Sequence, residues 1–452
     1  MLALQGDSGL ENSREHWSGR LGFTLAAVGS AVGLGNMWRF SYMAAENGGA
    51  AFVVLYVVMT LVVGLPVMLA ELTLGRGAGR SPVQALAHYG GSAWRPLGGL
   101  FVLAGFVILA YYSVIAGWTF RYALESLVSG FPADAGGHFE HIASGWPALG
   151  WHLAFMAVTM VVVSGGIRSG IERASIVLMP LLALIVIGLA LYAATLAGAS
   201  QGYAYYFEPD FGAIWNRDVL RDAAGQAFFS LSLGMGAILT YASYLDRNTD
   251  LPAESITIAI SDFGVAFIAG LVVFPLLFAL GLQEDVGAST LGALFITLPK
   301  AFAEMGGVGT FVGTAFFFAL LVGGLTSAIS LLEVVVASTI DSFGTSRRTA
   351  ALVCGSAIAL LGVPAAFSLD VLGLMDQIGG NLLLILGGLL LSVFVGWFMP
   401  GALDEAEAGS KLGPLLFGWQ VLLRFVVPLI LVAILWFTIG DTLDLVRSLA
   451  AD

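Results

Sequence analysis

Charge is scarce in this chain. Only 11% of its 452 residues are Asp, Glu, Lys or Arg, where an ordinary globular protein carries roughly 25%. That shortage excludes a soluble multidomain protein and a disordered chain, both of which need many solvated groups. Basic charge is scarcer still: 18 Lys and Arg against 30 Asp and Glu give a net charge of −12, with a pI near 4.8. Such a balance excludes binding to a phosphate backbone. The one cysteine, Cys354, excludes an intramolecular disulfide and any cysteine-based metal cluster. Of five histidines only His152 falls in an apolar stretch, so a transition metal that wants imidazole or thiolate finds no ligands there. His138 and His141 share a loop, and a pair at that spacing is more often incidental than a ligand set. What the chain has in abundance is apolar surface: 58% hydrophobic residues and a mean hydropathy of +0.92. Its apolar runs exceed the ~20 residues that cross a ~30 Å hydrocarbon core. The chain reads as an all-α polytopic membrane protein.

Eleven apolar segments lie near 20–46, 50–75, 97–129, 148–166, 171–198, 220–244, 254–282, 309–341, 349–367, 372–399 and 414–440. The polar opening (Asp7, Ser8, Glu11, Asn12, Ser13, Arg14, Glu15) lacks the layout of a cleaved signal peptide. With a cytoplasmic N-terminus, inside loops hold Arg14, Arg20, Arg76, Arg80, Arg95, Arg168, Arg173, Arg247, Arg347, Arg348 and Lys411. Outside loops hold only Arg217, Arg221, Lys300 and Arg447. This bias predicts residues 1–19 in the cytoplasm and an extracellular C-terminus after the last span, within 401–452. A multi-pass protein of the cell (plasma or inner) membrane follows. The longest loops, near 130–147, 199–219 and 283–308, are too short to fold alone, so function must lie among the helices.

Two spans carry glycine-rich interruptions at their middles. The first reads Ala27-Val28-Gly29-Ser30-Ala31-Val32-Gly33-Leu34-Gly35-Asn36, and the sixth Phe229-Ser230-Leu231-Ser232-Leu233-Gly234-Met235-Gly236. Glycine weakens a helix by roughly 1 kcal/mol relative to alanine, and freed backbone groups at membrane depth must face protein or a water-filled cavity. Gly29-x-x-x-Gly33 alone is equally a close-packing motif. The separation of the two breaks decides otherwise. Spans one and six each open a five-helix repeat, 20–200 and 201–400, the 5+5 inverted-repeat pattern of transporters with discontinuous helices. Oxygen-bearing side chains surround the breaks (Asn36, Ser230, Asp262, Thr326, Ser327), a set suited to a hard, singly charged cation. Half-helix N-termini there attract an anionic group.

The runs Arg14-Glu15-His16-Trp17, Gly29 to Phe40 and Ala44-Ala45-Glu46-Asn47-Gly48-Gly49 resemble the opening of the neurotransmitter:sodium symporter family. Gln226 to Gly236 with Thr240-Tyr241-Ala242-Ser243-Tyr244 resembles its sixth helix, and Gly324-Leu325-Thr326-Ser327 its eighth. The likeness covers essentially the whole chain and is nearest to the bacterial amino-acid branch. It implies eleven transmembrane helices with helices 1 and 6 unwound at mid-membrane, and two sodium sites. The first would use the Ala31 carbonyl, Asn36, Ser230, Asp262 and the substrate's carboxylate. The second would use carbonyls of Gly29, Val32 and Gly323 with the hydroxyls of Thr326 and Ser327. The substrate pocket would be lined by Ser30, Ala31, Gly33, Leu34, Gly35, Ile108, Tyr112, Phe229, Ser230, Ser232, Met235, Ser327 and Leu331. Gly33 stands where monoamine members carry an aspartate, leaving room for a substrate that brings its own carboxylate. The walls Ile108, Met235 and Leu331 point to hydrophobic and aromatic amino acids, and Gly-Met-Gly resembles the run of a relative accepting many of them.

The resemblance also implies an outer gate of Arg39 and Asp376 with Gln226 beside them and Tyr112 and Phe229 as lid. An inner gate would pair Arg14 with Asp341, buttressed by Trp17, Ser243 and Tyr244. Arg39, Asp262 and Asp376 stand out independently, because charge at membrane depth is costly and functional by default. Three positions depart from the family. Ser41 replaces the usual proline, Asp262 a common asparagine, and Ala266 a glutamate of some chloride-independent relatives. Animal members bind chloride near the position of Tyr56, Gln226, Ser230 and Asp262. Here a carboxylate already sits there, and a second anion would meet about 4 kcal/mol of repulsion at an effective dielectric near 20, so no chloride should be required. Gly170 and Pro180, nine residues between them, match an unwinding hinge of the family, and a static proline kink is the plain alternative.

Sodium-coupled symport of hydrophobic L-amino acids is thus the leading expectation, with amino acid and lipid as partners and no nucleic acid or obligate protein. A proton-coupled amino-acid permease is the first rival, though it has no use for an all-oxygen cage. A channel or a polytopic membrane enzyme is the second, and no catalytic constellation appears at membrane depth.

Overall fold

The computed structural model describes residues 15–208, 212–281 and 290–451, and is helical at nearly every membrane-depth position. Among the described residues, nine helices are long and apolar enough to cross a membrane: α3 (Ala50–Ala78), α4 (Ser92–Ser129), α5 (Gly145–Ser164), α6 (Ile167–Ala193), α9 (Leu251–Ala279), α10 (Gly306–Phe343), α11 (Arg347–Phe367), α12 (Leu369–Phe398) and α13 (Leu416–Leu449). A tenth span is a pair, α1 (Arg20–Ala31) and α2 (Gly35–Glu46), bent by 62° at its break. The remaining segment of the sequence reading, 220–244, is divided into α7 (Arg217–Ser230) and α8 (Ala237–Ala242), each too short to span alone.

Apolar runs make these helices, and local chemistry ends them. Asp250 and Ser346 cap α9 and α11 by accepting the N–H groups of Ala253 (3.1 Å) and Thr349 (3.3 Å), the placement expected of N-cap residues. Gly344 closes α10 in the left-handed conformation (φ 66°), which glycine adopts without a Cβ penalty. The segments read as loops hold short helices, Ala135–Ala143, Ala199–Phe207 and Leu298–Glu304. Their apolar sides pack on the bundle, which no pattern of charge reveals.

The bundle has a clear centre. In α10, 78% of the most apolar stretch is buried, against 28% in α6 and in α13, so α10 is core and the latter two face lipid. Against α10 lie α4 and the broken helices, bringing residues 30–36, 108–112, 229–236 and 326–331 together.

Candidate functional site

Both glycine-rich stretches interrupt their helices. Val32 leaves the helical region at φ −75°, ψ 100°. In the other break, Ser232 (φ 54°), Gly234 (φ 79°) and Gly236 (φ 73°) all take left-handed backbone. Gly234 has no alternative, since a Cβ there would collide with the Leu384 carbonyl. Ser232 is the only non-glycine among the described residues with positive φ, a conformation that costs of order 1 kcal/mol or more. Its hydroxyl donates to the Ser30 carbonyl at 2.8 Å, joining the two breaks and satisfying a carbonyl that the end of α1 leaves free.

The second break is held by a residue absent from the sequence-based candidates. Glu71 of α3 is fully buried and accepts the N–H groups of Gly234 (2.9 Å) and Leu239 (3.1 Å). Its carboxylate caps the positive N-terminal end of α8. The signal was present: a lone carboxylate in the run Pro66-Val67-Met68-Leu69-Ala70-Glu71-Leu72 falls under the rule that singled out Asp262.

Beside the breaks lies a buried polar cluster. The Asn36 amide donates to Asp262 Oδ1 (2.6 Å) and Ser230 Oγ (2.9 Å). Tyr56 and Ser230 hydroxyls donate to Asp262 Oδ2 at 3.0 and 2.8 Å. Gln226 donates to the Gly35 carbonyl at 3.0 Å. Asp262 is fully buried, and each of its hydrogen-bond donors is neutral. A buried carboxylate without a cationic partner is costly, so this all-oxygen set fits a sodium ion. Across the first break, Thr326 Oγ1 lies 3.0 Å from the Gly323 carbonyl, and Ser327 Oγ donates to the Ser30 carbonyl at 3.2 Å. A Cβ at Gly29 would stand 3.1 Å from Thr326 Cβ, so α1 and α10 meet where the second oxygen set was expected, and hydroxyls with carbonyls again suit a hard cation.

Between the clusters is a narrow cavity lined by Ala31, Gly33, Gly35, Asn36, Ile108, Tyr112, Phe229, Ser232, Met235, Ser327 and Leu331. Ten of these were expected for the substrate pocket, and the eleventh, Asn36, for the first sodium site. Ser30, Leu34 and Ser230 stand behind the lining, engaged with Ser330 (2.8 Å), the Tyr112 hydroxyl (3.3 Å) and Asp262 (2.8 Å). The glycines keep the space open: a Cβ at Gly35 would stand 2.8 Å from the Phe229 ring, and one at Gly33 3.1 Å from the Tyr112 hydroxyl.

The expected outer ion pair is not made between Arg39 and Asp376. The Arg39 guanidinium stacks on Phe229, 4.4 Å from the ring centroid, and donates to Asn381 Oδ1 at 3.4 Å. Stacking satisfies its flat face and the amide its edge. At the other end, Arg14 lies outside the described residues, while Asp341 accepts the Ser81 N–H at 2.7 Å. Trp17 donates to the Tyr241 carbonyl (3.0 Å) and Tyr244 to Glu333 (2.6 Å). Arg347 bridges Glu333 and Glu15, each at 2.7 Å. Gly170 lies in wide, π-type turns, Ile167–Glu172, and α6 runs unbroken through Pro180.

Two broken membrane helices meeting at an apolar cavity flanked by oxygen-rich clusters define a secondary transporter. Comparison makes this specific. The model of the sodium:neurotransmitter symporter family matches residues 14–146 and 138–446, and the chain belongs to that family. An uncharacterized sodium-dependent transporter of Methanocaldococcus jannaschii is 36% identical, covering 95% of this chain and 91% of that one. The uncharacterized sodium-dependent transporter YhdH of Bacillus subtilis is 35% identical, covering 95% and 99%. The crystal structure of MhsT in complex with L-phenylalanine matches with a TM-score of 0.85 at 41% identity, covering 94% of this chain and 99% of that one. The protein is therefore a sodium-dependent, multi-pass membrane transporter and not an enzyme.

Proposed function

We propose that the protein imports hydrophobic and aromatic L-amino acids by sodium-coupled symport, through alternating access and without chloride. The observation that carries this reading is the cavity itself: apolar walls (Ile108, Met235, Leu331, Phe229) beside broken backbone, with no charged side chain in its lining. Such a site accepts a neutral zwitterion whose apolar side chain replaces water, and MhsT, 41% identical, was solved with L-phenylalanine. Two sodium ions travel as co-substrates. One is held by the Ala31 carbonyl, Asn36, Ser230, Asp262 and the substrate's carboxylate, the other by carbonyls of Gly29, Val32 and Gly323 with Thr326 and Ser327. Because the amino acid completes the first ion's shell, each strengthens binding of the other. The Asp262 carboxylate supplies the negative charge that chloride would otherwise bring. Arg39, Asp376 and Gln226 close the outer side and Arg14, Asp341, Trp17 and Tyr244 the inner one. The N-terminus is cytoplasmic, the C-terminus extracellular, and 20–200 and 201–400 are inverted repeats.

Uptake into proteoliposomes, measured for the twenty amino acids with sodium and chloride varied separately, tests the proposal. Saturable sodium-dependent uptake of leucine, phenylalanine, tyrosine and tryptophan in gluconate is expected. Uptake that survives sodium removal would select the proton-coupled permease, a flux that fails to saturate the channel. Strong preference for glycine, glutamate or lysine would overturn the substrate class.

A further inference from the structure

A directed chain of hydrogen bonds runs from Arg39 to the last helix. Arg39 donates to Asn381 Oδ1 (3.4 Å), Asn381 Nδ2 to Gln377 Oε1 (3.0 Å), Gln377 Nε2 to Thr442 Oγ1 (3.0 Å), and the Thr442 hydroxyl to the Thr438 carbonyl (2.7 Å). A guanidinium only donates, so Asn381 must turn its oxygen toward Arg39 and its NH₂ away. That choice orients Gln377, and Gln377 in turn spends a donor on α13. Bonds in such a series polarise one another.

Asp376 lies next to Gln377 in sequence but faces elsewhere. A Cβ at Gly380 would stand 2.7 Å from both Asp376 Oδ1 and the Tyr111 hydroxyl, which places that carboxylate beside Tyr111 of α4. Near one turn of α12, then, Arg39 is offered two acceptors, a charged one it does not use and a neutral one it does. The bond it makes is long, and therefore easily exchanged. The outer end of α13 is tied to the same region a second time. Arg221 of α7 pairs with Asp222 (3.0 Å) and with Asp441 (3.4 Å), and Arg39, Asn381, Gln377, Thr438, Asp441 and Arg221 share one outer cavity.

We propose that Asn381, oriented by Gln377 and Thr442 of the last helix, is a positioning residue that keeps Arg39 from Asp376 and so sets how firmly the outer gate closes. This rests on the reading of Arg39 and Asp376 as that gate. The test follows association and dissociation of radiolabelled L-phenylalanine with the purified full-length protein in sodium. Asn381→Ala frees Arg39 for Asp376 and slows both rates about tenfold, the factor carried by one hydrogen bond to a charged group, with little change in Kd. Thr442→Val shifts both rates in the same direction by less, and Thr442→Ser, which keeps the hydroxyl, restores them. In an Asp376→Asn background Asn381→Ala has no further effect. Wild-type rates in both Asn381→Ala and Thr442→Val, or an Asn381 effect that persists without the Asp376 charge, overturn the proposal. Wild-type rates in Asp376→Asn alone overturn instead the gate on which it rests.

Discussion

At the scale of single residues, the strongest constraint is the uncompensated charge of Asp262. A carboxylate buried among neutral donors favours a cation beside it and disfavours an anion. Asp262→Asn removes that preference, and uptake in gluconate is expected to fall roughly tenfold or more, the scale of one charged partner, or to become chloride-sensitive. Full chloride-free transport by this variant would contradict the role given to Asp262. If the second oxygen set is the sodium site proposed above, Thr326→Ala and Ser327→Ala are each expected to weaken sodium binding. A sodium titration of uptake unchanged in both would remove that site. Asn36, Ser230, Asp262, Thr326 and Ser327 were legible in the sequence because oxygen-bearing side chains beside glycines at membrane depth have few other uses. Glu71 obeys the membrane-depth rule but has no glycine beside it, so its sequence neighbourhood does not tie it to either break. The partner of Arg39 was not legible, since Asp376 and Asn381 sit near one turn of α12 and only packing decides between them.

At the scale of elements, the glycine spacing announced that two helices break, while the devices that hold the breaks open were hidden. Ser232 carries no mark of left-handed backbone, and its bond to Ser30 joins residues 202 positions apart. Glu71 supplies both caps of the second break, so Glu71→Ala leaves the Gly234 and Leu239 N–H groups buried and unpaired at about 1–3 kcal/mol each. A clear fall in thermal unfolding temperature in detergent is expected, with Glu71→Gln, which retains one acceptor, between the variant and wild type. Equal stability of all three would show that the caps are dispensable. In α6 the unbroken helix through Pro180 lacks one backbone donor, and the wide turns around Gly170 precede it. Pro180→Ala restores that bond and is expected to slow turnover while leaving equilibrium substrate binding intact, as an unwinding hinge requires. Normal turnover would reduce Pro180 to a bend.

At the scale of the whole molecule, the two ends of the bundle are fastened differently. One end holds an open polar cavity between α2, α7, α12 and α13, whereas residues 15–18 bind the other end tightly. Glu15 accepts the Ile167 N–H (2.5 Å) and the Arg347 guanidinium (2.7 Å). Arg168 donates to the His16 carbonyl (2.8 Å) and the Ser18 N–H to Glu172 (3.0 Å). Three of these bonds land on Ile167, Arg168 and Glu172 at the start of α6, where the stretch read as a hinge begins, and Arg347 also neutralises the fully buried Glu333. Arg347→Ala leaves that carboxylate with no cation and only the Tyr244 hydroxyl, a change that costs about 3–5 kcal/mol where a buried pair is broken. The cost falls on the closed arrangement of this end, so the population shifts toward conformations in which it opens and Glu333 meets water. Hydrogen exchange of residues 15–24 and 167–172 should rise together in this variant, and substrate affinity should fall, because the substrate favours the closed pocket. Exchange that rises at 15–24 alone would separate the strap from α6 and leave the Gly170–Pro180 segment to unwind independently of it.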